Sequence, residues 1–173
     1  RALVRVDFSV PLTTDGLEVS DDSRIRAVKP TIDHLIEAGA RIVLCSHFGR
    51  PRGLVVEEMR LLPAQTRLSQ ILDREVKYAA GPTGLESQQI CKELAPGGIA
   101  LLENLRFDPR EEANDAGFAQ ELASLGDLFI NDAFGVAHRA HASTVGVSRY
   151  LPSVAGLLMA RELKILGWVT GSP

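Results

Sequence analysis

Five short apolar runs, each nearly continuous and rich in strand-forming residues, recur along the chain with helical patterning between them. They are ALVRVDF at 2–8, RIVLCS at 41–46, EVKYA at 75–79, IALLEN at 99–104 and LFIND at 128–132. A run that does not alternate with polar residues suits a strand covered on both faces. The segments at 22–38, 61–73, 83–94, 114–125 and 155–166 have the spacing of helices. Such alternation requires a largely parallel sheet, with right-handed crossovers laying helices on both faces. The expected fold is α/β, a three-layer αβα domain of Rossmann-like type with a mainly parallel sheet.

Asp21, Asp22 and Ser23 are candidate N-caps for the first helix, and Gly39 is its stop. Pro30 predicts a kink or a break in that helix. GPTG at 81–84 and APGG at 95–98 mark loops. No internal repeat, low-complexity tract or linker divides the 173 residues, which read as one domain. The chain opens inside a strand-like run and ends on GWVTGSP without closing a unit, so a fragment truncated at both ends is expected.

With 45% hydrophobic and 24% charged residues the composition is that of an ordinary globular domain. A net charge of -3 gives no global pull toward nucleic acid or anionic membrane, so neither partner is expected and any basic function must be local. No apolar stretch approaches the roughly 20 residues of a membrane span. Cys45 and Cys91 lie far apart, Cys45 within an apolar run, and read as buried thiols of a reducing compartment. The cations are biased in kind, 15 arginines against 4 lysines. Arginine offers the planar fork that suits phosphate and carboxylate.

In open α/β sheets, ligands gather outside the carboxyl ends of the strands. The first run is followed by Asp7, Ser9 and, after a loop, Arg24. The second leads to His47, Gly49, Arg50 and Arg52, the fourth to Arg106, and the fifth to His138, Arg139 and His141. Only the third leads into a neutral loop, AAGPTG. Four of five strand ends therefore carry cations to one edge, which predicts a single anionic ligand.

Plainer readings apply to several residues. His138 and His141 could form a metal pair if 138–141 were helical, but no further ligand stands at a recognisable spacing. His34 reads as an ordinary helix residue, and Met59 and Met159 as gap-fillers. Arg110, Glu111 and Glu112 of DPREEAND read as a solvated face. Phosphate-loop, dinucleotide and nucleophile-elbow fingerprints are absent, so a Walker or Rossmann nucleotide site and a hydrolase are unsupported.

At RVDFSVPL, DDSRIRAVKPTI, CSHFGRP, LLENLRF and NDAFGVAHRAHAST, continuing through YLPSVAGLLMARELKIL, the sequence resembles the phosphoglycerate kinases. The resemblance runs in order over the whole chain and corresponds to the N-terminal, phosphoglycerate-binding lobe of a two-lobed kinase. It implies reversible phosphoryl transfer from 1,3-bisphosphoglycerate to ADP, giving 3-phosphoglycerate and ATP, as in glycolysis and the Calvin cycle. Magnesium and the nucleotide are implied for a C-terminal lobe that this chain lacks. Asp7 is implied as a partner for the hydroxyl and carboxyl end of the substrate. His47, Arg50, Arg106 and Arg139 fall on the patch that holds the 3-phosphate, and Arg24 on the arginine that reaches the transferring group. Arg5, His138 and His141 fall on supporting positions, the histidines ordering Arg139.

Ser9 stands where the family usually has Asn, which bears on one substrate hydrogen bond; Phe48 for Leu and Val136 for Thr are milder departures. A monomer is expected, in the cytoplasm or, alternatively, the plastid stroma. The alternative function is a binding-only module, truncated or degenerate, for small phosphorylated acids; a nicotinamide-dependent oxidoreductase is weaker for want of a fingerprint.

Overall fold

The computed structural model describes residues 1–171. Its strands are β1 (Ala2–Arg5), β2 (Ile42–Cys45), β3 (Val76–Ala79), β4 (Ile99–Leu102), β5 (Leu128–Asn131) and β6 (Ser153–Ala155). They form one sheet in the order β3-β4-β2-β1-β5-β6, and every pairing is parallel. The helices are α1 (Ser23–Glu37), α2 (Leu62–Leu72), α3 (Leu85–Lys92), α4 (Pro109–Glu112), α5 (Ala116–Ala123) and α6 (Leu157–Gly171).

The strand residues alternate between two cores, as a period of two demands. Ala2, Val4, Ile42 and Leu44 pack with Ile25, Val28 and Ile32 of α1 and with Ala64 and Leu68 of α2. Leu3, Val43 and Cys45 pack on the opposite face with Cys91 of α3 and with Phe118 and Leu122 of α5. Both faces are thus covered, which explains why the strands read as unbroken apolar runs. Each large side chain so buried contributes roughly 1.5–3 kcal/mol. Cys45 and Cys91 are free and buried, and burial pushes their thiols up to about 12 and about 11, leaving them unreactive. Among the described residues no helix is long and apolar enough to cross a membrane.

At five points the local structure departs from the sequence reading or adds to it. The first helix runs unbroken through Pro30, which lies on its exposed side, where water can take the carbonyl that loses its amide partner. Asp22 holds the N-cap position without capping, because its carboxylate pairs with Arg26 and Arg67. The segment at 138–141 is a turn and not a helix, so no helical His-x-x-His pair forms. Glu111 is not on a solvated face but 0% exposed at the end of the short helix α4, and Arg110 pairs with Asp108 and Glu121 over the Phe118 ring. Finally, β6 is an edge strand of three exposed residues, without the apolar run that would have marked it.

The last helix is fastened to the sheet by a cap drawn from elsewhere in the chain. Asp132, just past β5, accepts from the Met159 amide through Oδ1 (3.0 Å) and from Thr31 Oγ1 through Oδ2 (2.6 Å). Thr31 Oγ1 in turn accepts from the Leu157 amide (3.1 Å). Two of the four orphan amides of α6 are satisfied this way. The arrangement needs glycine at 156, since a Cβ there would stand 2.2 Å from Asp132 Oδ1. Gly156→Ala is expected to cost about 2–3 kcal/mol, at the upper end of overpacking penalties. Urea denaturation of the variant checks this, and an unchanged midpoint would show that the cap can shift without loss.

Candidate functional site

Because the sheet is parallel, the carboxyl ends of all its strands face one edge, and the four central strands deliver the expected residues there. Order reverses beside β1, whose neighbours β2 and β5 are reached by chains running in opposite directions across the sheet. That is the switch point at which α/β folds open a crevice.

Arg5 ends β1 only 1% exposed. Its Nε donates to Ser143 Oγ (2.9 Å), Nη1 to the Val6 carbonyl, and Nη2 meets His47 Nδ1 at 3.0 Å. A guanidinium can only donate, so Nδ1 is the acceptor and the proton of His47 sits on Nε2. The imidazole is neutral: burial, then the charges of Arg5, Arg106, Arg139 and His141, push its pKa down to about 2. His141 is driven the same way, by burial first and then by Arg106, and its Nδ1 lies 3.7 Å from Glu111 Oε1.

Ser9 joins this group through its hydroxyl, which donates to the His47 carbonyl (3.0 Å) and lies 3.4 Å from His47 Nε2. Its single proton is committed to the protein. The Ser9 amide donates to Asp7 Oδ1 (3.1 Å), and Arg24 Nη1 donates to Asp7 Oδ2 (2.5 Å). Asp7 and Arg24 line a cleft at the switch point with Asp132, Phe134, Gly135 and, from α6, Glu162. The Arg24 side chain is 55% exposed, so its ion pair contributes at most about 1 kcal/mol and can open.

Arg106 is 4% exposed in the turn after β4; its Nη1 donates to the Gly49 carbonyl (2.7 Å) and its Nε lies 3.1 Å from Glu112 Oε1. Burial lowers its pKa. Neither the Nε of Arg106 nor that of Arg139 has a hydrogen-bond partner although both are buried. Buried donors without a hydrogen bond are costly; Arg106 Nε has the Glu112 carboxylate as an ion-pair partner, whereas Arg139 makes no ion pair among the described residues. The Arg139 carbonyl accepts from Thr144 Oγ1 (2.6 Å) and the His141 amide (3.1 Å), and no hydrogen bond joins the Arg139 side chain to a histidine ring among the described residues. Arg50 and His138 are exposed and make no side-chain hydrogen bond among the described residues. The structure thus draws Arg5, Ser9, His47, Arg106, Arg139 and His141 into one group, sets Asp7 and Arg24 in the adjoining cleft, and leaves Arg50 and His138 at its margin.

Several supporting residues escaped the sequence reading. Asn104 clamps the histidine loop, donating to the Phe48 and Met59 carbonyls (2.7 and 2.9 Å) and accepting from the Phe48 and Arg106 amides (both 3.1 Å). Ser46 Oγ accepts from the Phe8 amide (2.9 Å) and ties the loop after β2 to that after β1. Glu111 and Ser143 stand behind Arg5, bonded at 2.5 Å. Ser46 and Asn104 adjoin apolar runs, a signal shared with many loop residues of no consequence, whereas Glu111 and Ser143 lie in stretches without one.

No group of three or more His, Cys, Asp or Glu side chains is placed to hold a metal ion among the described residues. The donor set does not fit a magnesium site: it is cationic and suits an anion.

Comparison with known proteins shows the family. The family model described as phosphoglycerate kinase matches residues 1–173. A phosphoglycerate kinase of Desulforudis audaxviator is 54% identical over 173 residues, covering 100% of this chain and 44% of that protein. One of Rippkaea orientalis is 58% identical over 167 residues, 96% of this chain and 41% of that protein. The crystal structure of phosphoglycerate kinase from Pyrococcus horikoshii superposes with a TM-score of 0.87 at 32% identity, over 99% of this chain and 44% of that one. That of Coxiella burnetii gives 0.87 at 35% identity, over 100% and 42%. The chain therefore spans less than half the length of the relatives it matches, and it belongs to the phosphoglycerate kinase family.

Proposed function

We propose that this chain is the phosphoglycerate-binding part of an enzyme that moves a phosphoryl group reversibly between 1,3-bisphosphoglycerate and ADP. The observation that carries this reading is a pair of buried guanidinium Nε atoms that make no hydrogen bond, that of Arg139 and that of Arg106, the latter with only the Glu112 carboxylate 3.1 Å away, both beside a neutral His47. A phosphate brings acceptor oxygens and the negative charge that such a group lacks. In this reading His47, Arg50, Arg106 and Arg139 hold the 3-phosphate, supported by Arg5, His138 and His141. Asp7 and the Ser9 loop meet the hydroxyl and carboxyl end. Arg24, exposed and held only by Asp7, swings to the transferring group and balances the charge spread over its equatorial oxygens.

The nucleotide and its magnesium belong to a part of the protein outside this chain. Bound there, they supply the phosphoryl acceptor and neutralise its charge. The substrate carboxylate is itself the nucleophile in the reverse direction, so this half contributes placement and cations. In the same reading the enzyme is a cytoplasmic monomer, a setting that keeps Cys45 and Cys91 reduced.

The 173-residue chain is expected to bind 3-phosphoglycerate weakly, with affinity falling as salt rises, because exposed charges are screened over about 8–10 Å at physiological salt. It is expected to make no ATP. Calorimetric titration at low and high salt, with a coupled ATP assay, tests both; salt-indifferent affinity or turnover would overturn the reading.

In a chimaera with the C-terminal half of a curated relative, Arg24→Ala is expected to lower kcat on the order of 10²–10³-fold, as for one lost transition-state donor. Arg24→Lys should recover only part of this, for want of the planar fork. Arg139→Ala should act chiefly on KM for 3-phosphoglycerate, as loss of uniform binding does. A near-normal kcat in Arg24→Ala removes that residue from the reaction.

His47 enters as a neutral donor, which has a measurable cost in acid. Its folded pKa is about 2 against an ordinary 6.5, so between those values the unfolded chain binds the extra proton. Stability is therefore lost as pH falls below about 6.5. Lowering the pH from about 7.5 to 5.5 should destabilise the native chain by about 1 kcal/mol more than His47→Gln. Equal losses in the two proteins, by urea denaturation, would mean that His47 titrates normally.

A further inference from the structure

The orientation of His47 is traceable to a carboxylate that touches neither the histidine nor the cleft. Arg5 fixes the imidazole by donating to Nδ1, but Arg5 is itself buried and makes no ion pair with a carboxylate among the described residues. Its Nε donates to Ser143 Oγ at 2.9 Å. That hydroxyl, having accepted from Arg5, has one proton to give, and it gives it to Glu111 Oε1 at 2.5 Å. Glu111 Oε2 accepts from the Ser143 amide at 2.9 Å, so the serine is gripped at two atoms. Every donor direction along the chain of bonds is fixed by chemistry, from a donor-only guanidinium at one end to an acceptor-only carboxylate at the other.

We propose that Glu111 is a positioning residue of the anion site: through Ser143 and Arg5 it locks His47 in the Nε2–H tautomer and so presents a proton donor to the ligand phosphate. The last step rests on the functional reading above; the tautomer lock does not. A carboxylate 0% exposed in an apolar layer is an expensive way to fill space unless its charge is used. Burial raises the Glu111 pKa, and Arg5 and the two Ser143 bonds, which favour the charged form, offset part of that rise. The charged groups facing His47 are Arg5 from β1, Arg106 from the turn after β4, and Arg139 and His141 from the turn after β5. All four oppose a proton on the imidazole. Protonation therefore cannot select which nitrogen carries the single hydrogen; the Arg5 contact does.

The test is long-range 1H–15N correlation of the histidine rings in the 173-residue chain, with titration of inorganic phosphate and 3-phosphoglycerate. Native protein should show His47 as a single Nε2–H form, unchanged from mildly acidic to mildly alkaline pH. Glu111→Gln keeps the size and removes the charge; it should yield a mixture of tautomers and about tenfold weaker binding. Ser143→Ala keeps the charge but removes the connecting hydroxyl, and should do the same if Glu111→Gln does not fold. In a His47→Ala background, Glu111→Gln should cost less than about twofold, because the two residues act on one contact. An unchanged Nε2–H form in the folded variants overturns the proposal, as does the full loss persisting without His47. Should native protein show the locked tautomer yet bind no phosphoglycerate, the relay stands and the functional reading falls.

Discussion

A guanidinium buried at the end of a central strand must be matched by acceptors and by negative charge, or the fold bears a heavy desolvation cost. Arg5 is among the largest fully buried side chains of this protein. In register it stands beside Cys45 of β2 on one side and Asn131 of β5 on the other. Its partners arrive from three separate stretches: Val6 from the same strand exit, His47 after β2, and Ser143 from the turn after β5. Glu111, behind Ser143, adds a fourth. Loops that would otherwise be held only at their ends are thereby fixed to one charge.

The neighbouring cations follow from the same placement. The strands whose exits carry His47, Arg106 and Arg139 are β2, β4 and β5, which with β1 are the four interior strands. The neutral exit belongs to β3 at one sheet edge. With positive charge concentrated and Glu111 and Glu112 behind it, the fold holds buried guanidinium donors in place without hydrogen bonds. Holding donors in place at a cost in stability is how preorganised electrostatic sites are built.

What could be read from the sequence divides along burial. Strands β1 to β5 were legible because both faces are covered, so composition alone marks them; β6 was not, because a three-residue exposed edge has no pattern to read. The site cations were legible because a parallel sheet converts strand order into spatial convergence. Glu111 was misread because acidic residues among Arg, Asp and Asn have the composition of a surface loop, and only the packing of α4 against the turn at 142–146 removes it from water. Pro30 does not break its helix for the converse reason: its missing amide matters less on a face that water can reach. Local signals report what a residue prefers, and tertiary position decides whether the preference is exercised.

The cap on α6 has a geometric consequence. Fifteen residues at 1.5 Å each make a rod of about 22 Å, held at its first turn by Asp132 and Thr31. Glu162 and Leu158, in its first two turns, line the same cleft as Asp7 and Arg24. The rod is therefore a lever with its fulcrum at the sheet and its short arm in the cleft. A tilt of about 10° at the fulcrum would carry the far end through about 4 Å, so the direction of the far end depends on how the first turn is seated against the cleft.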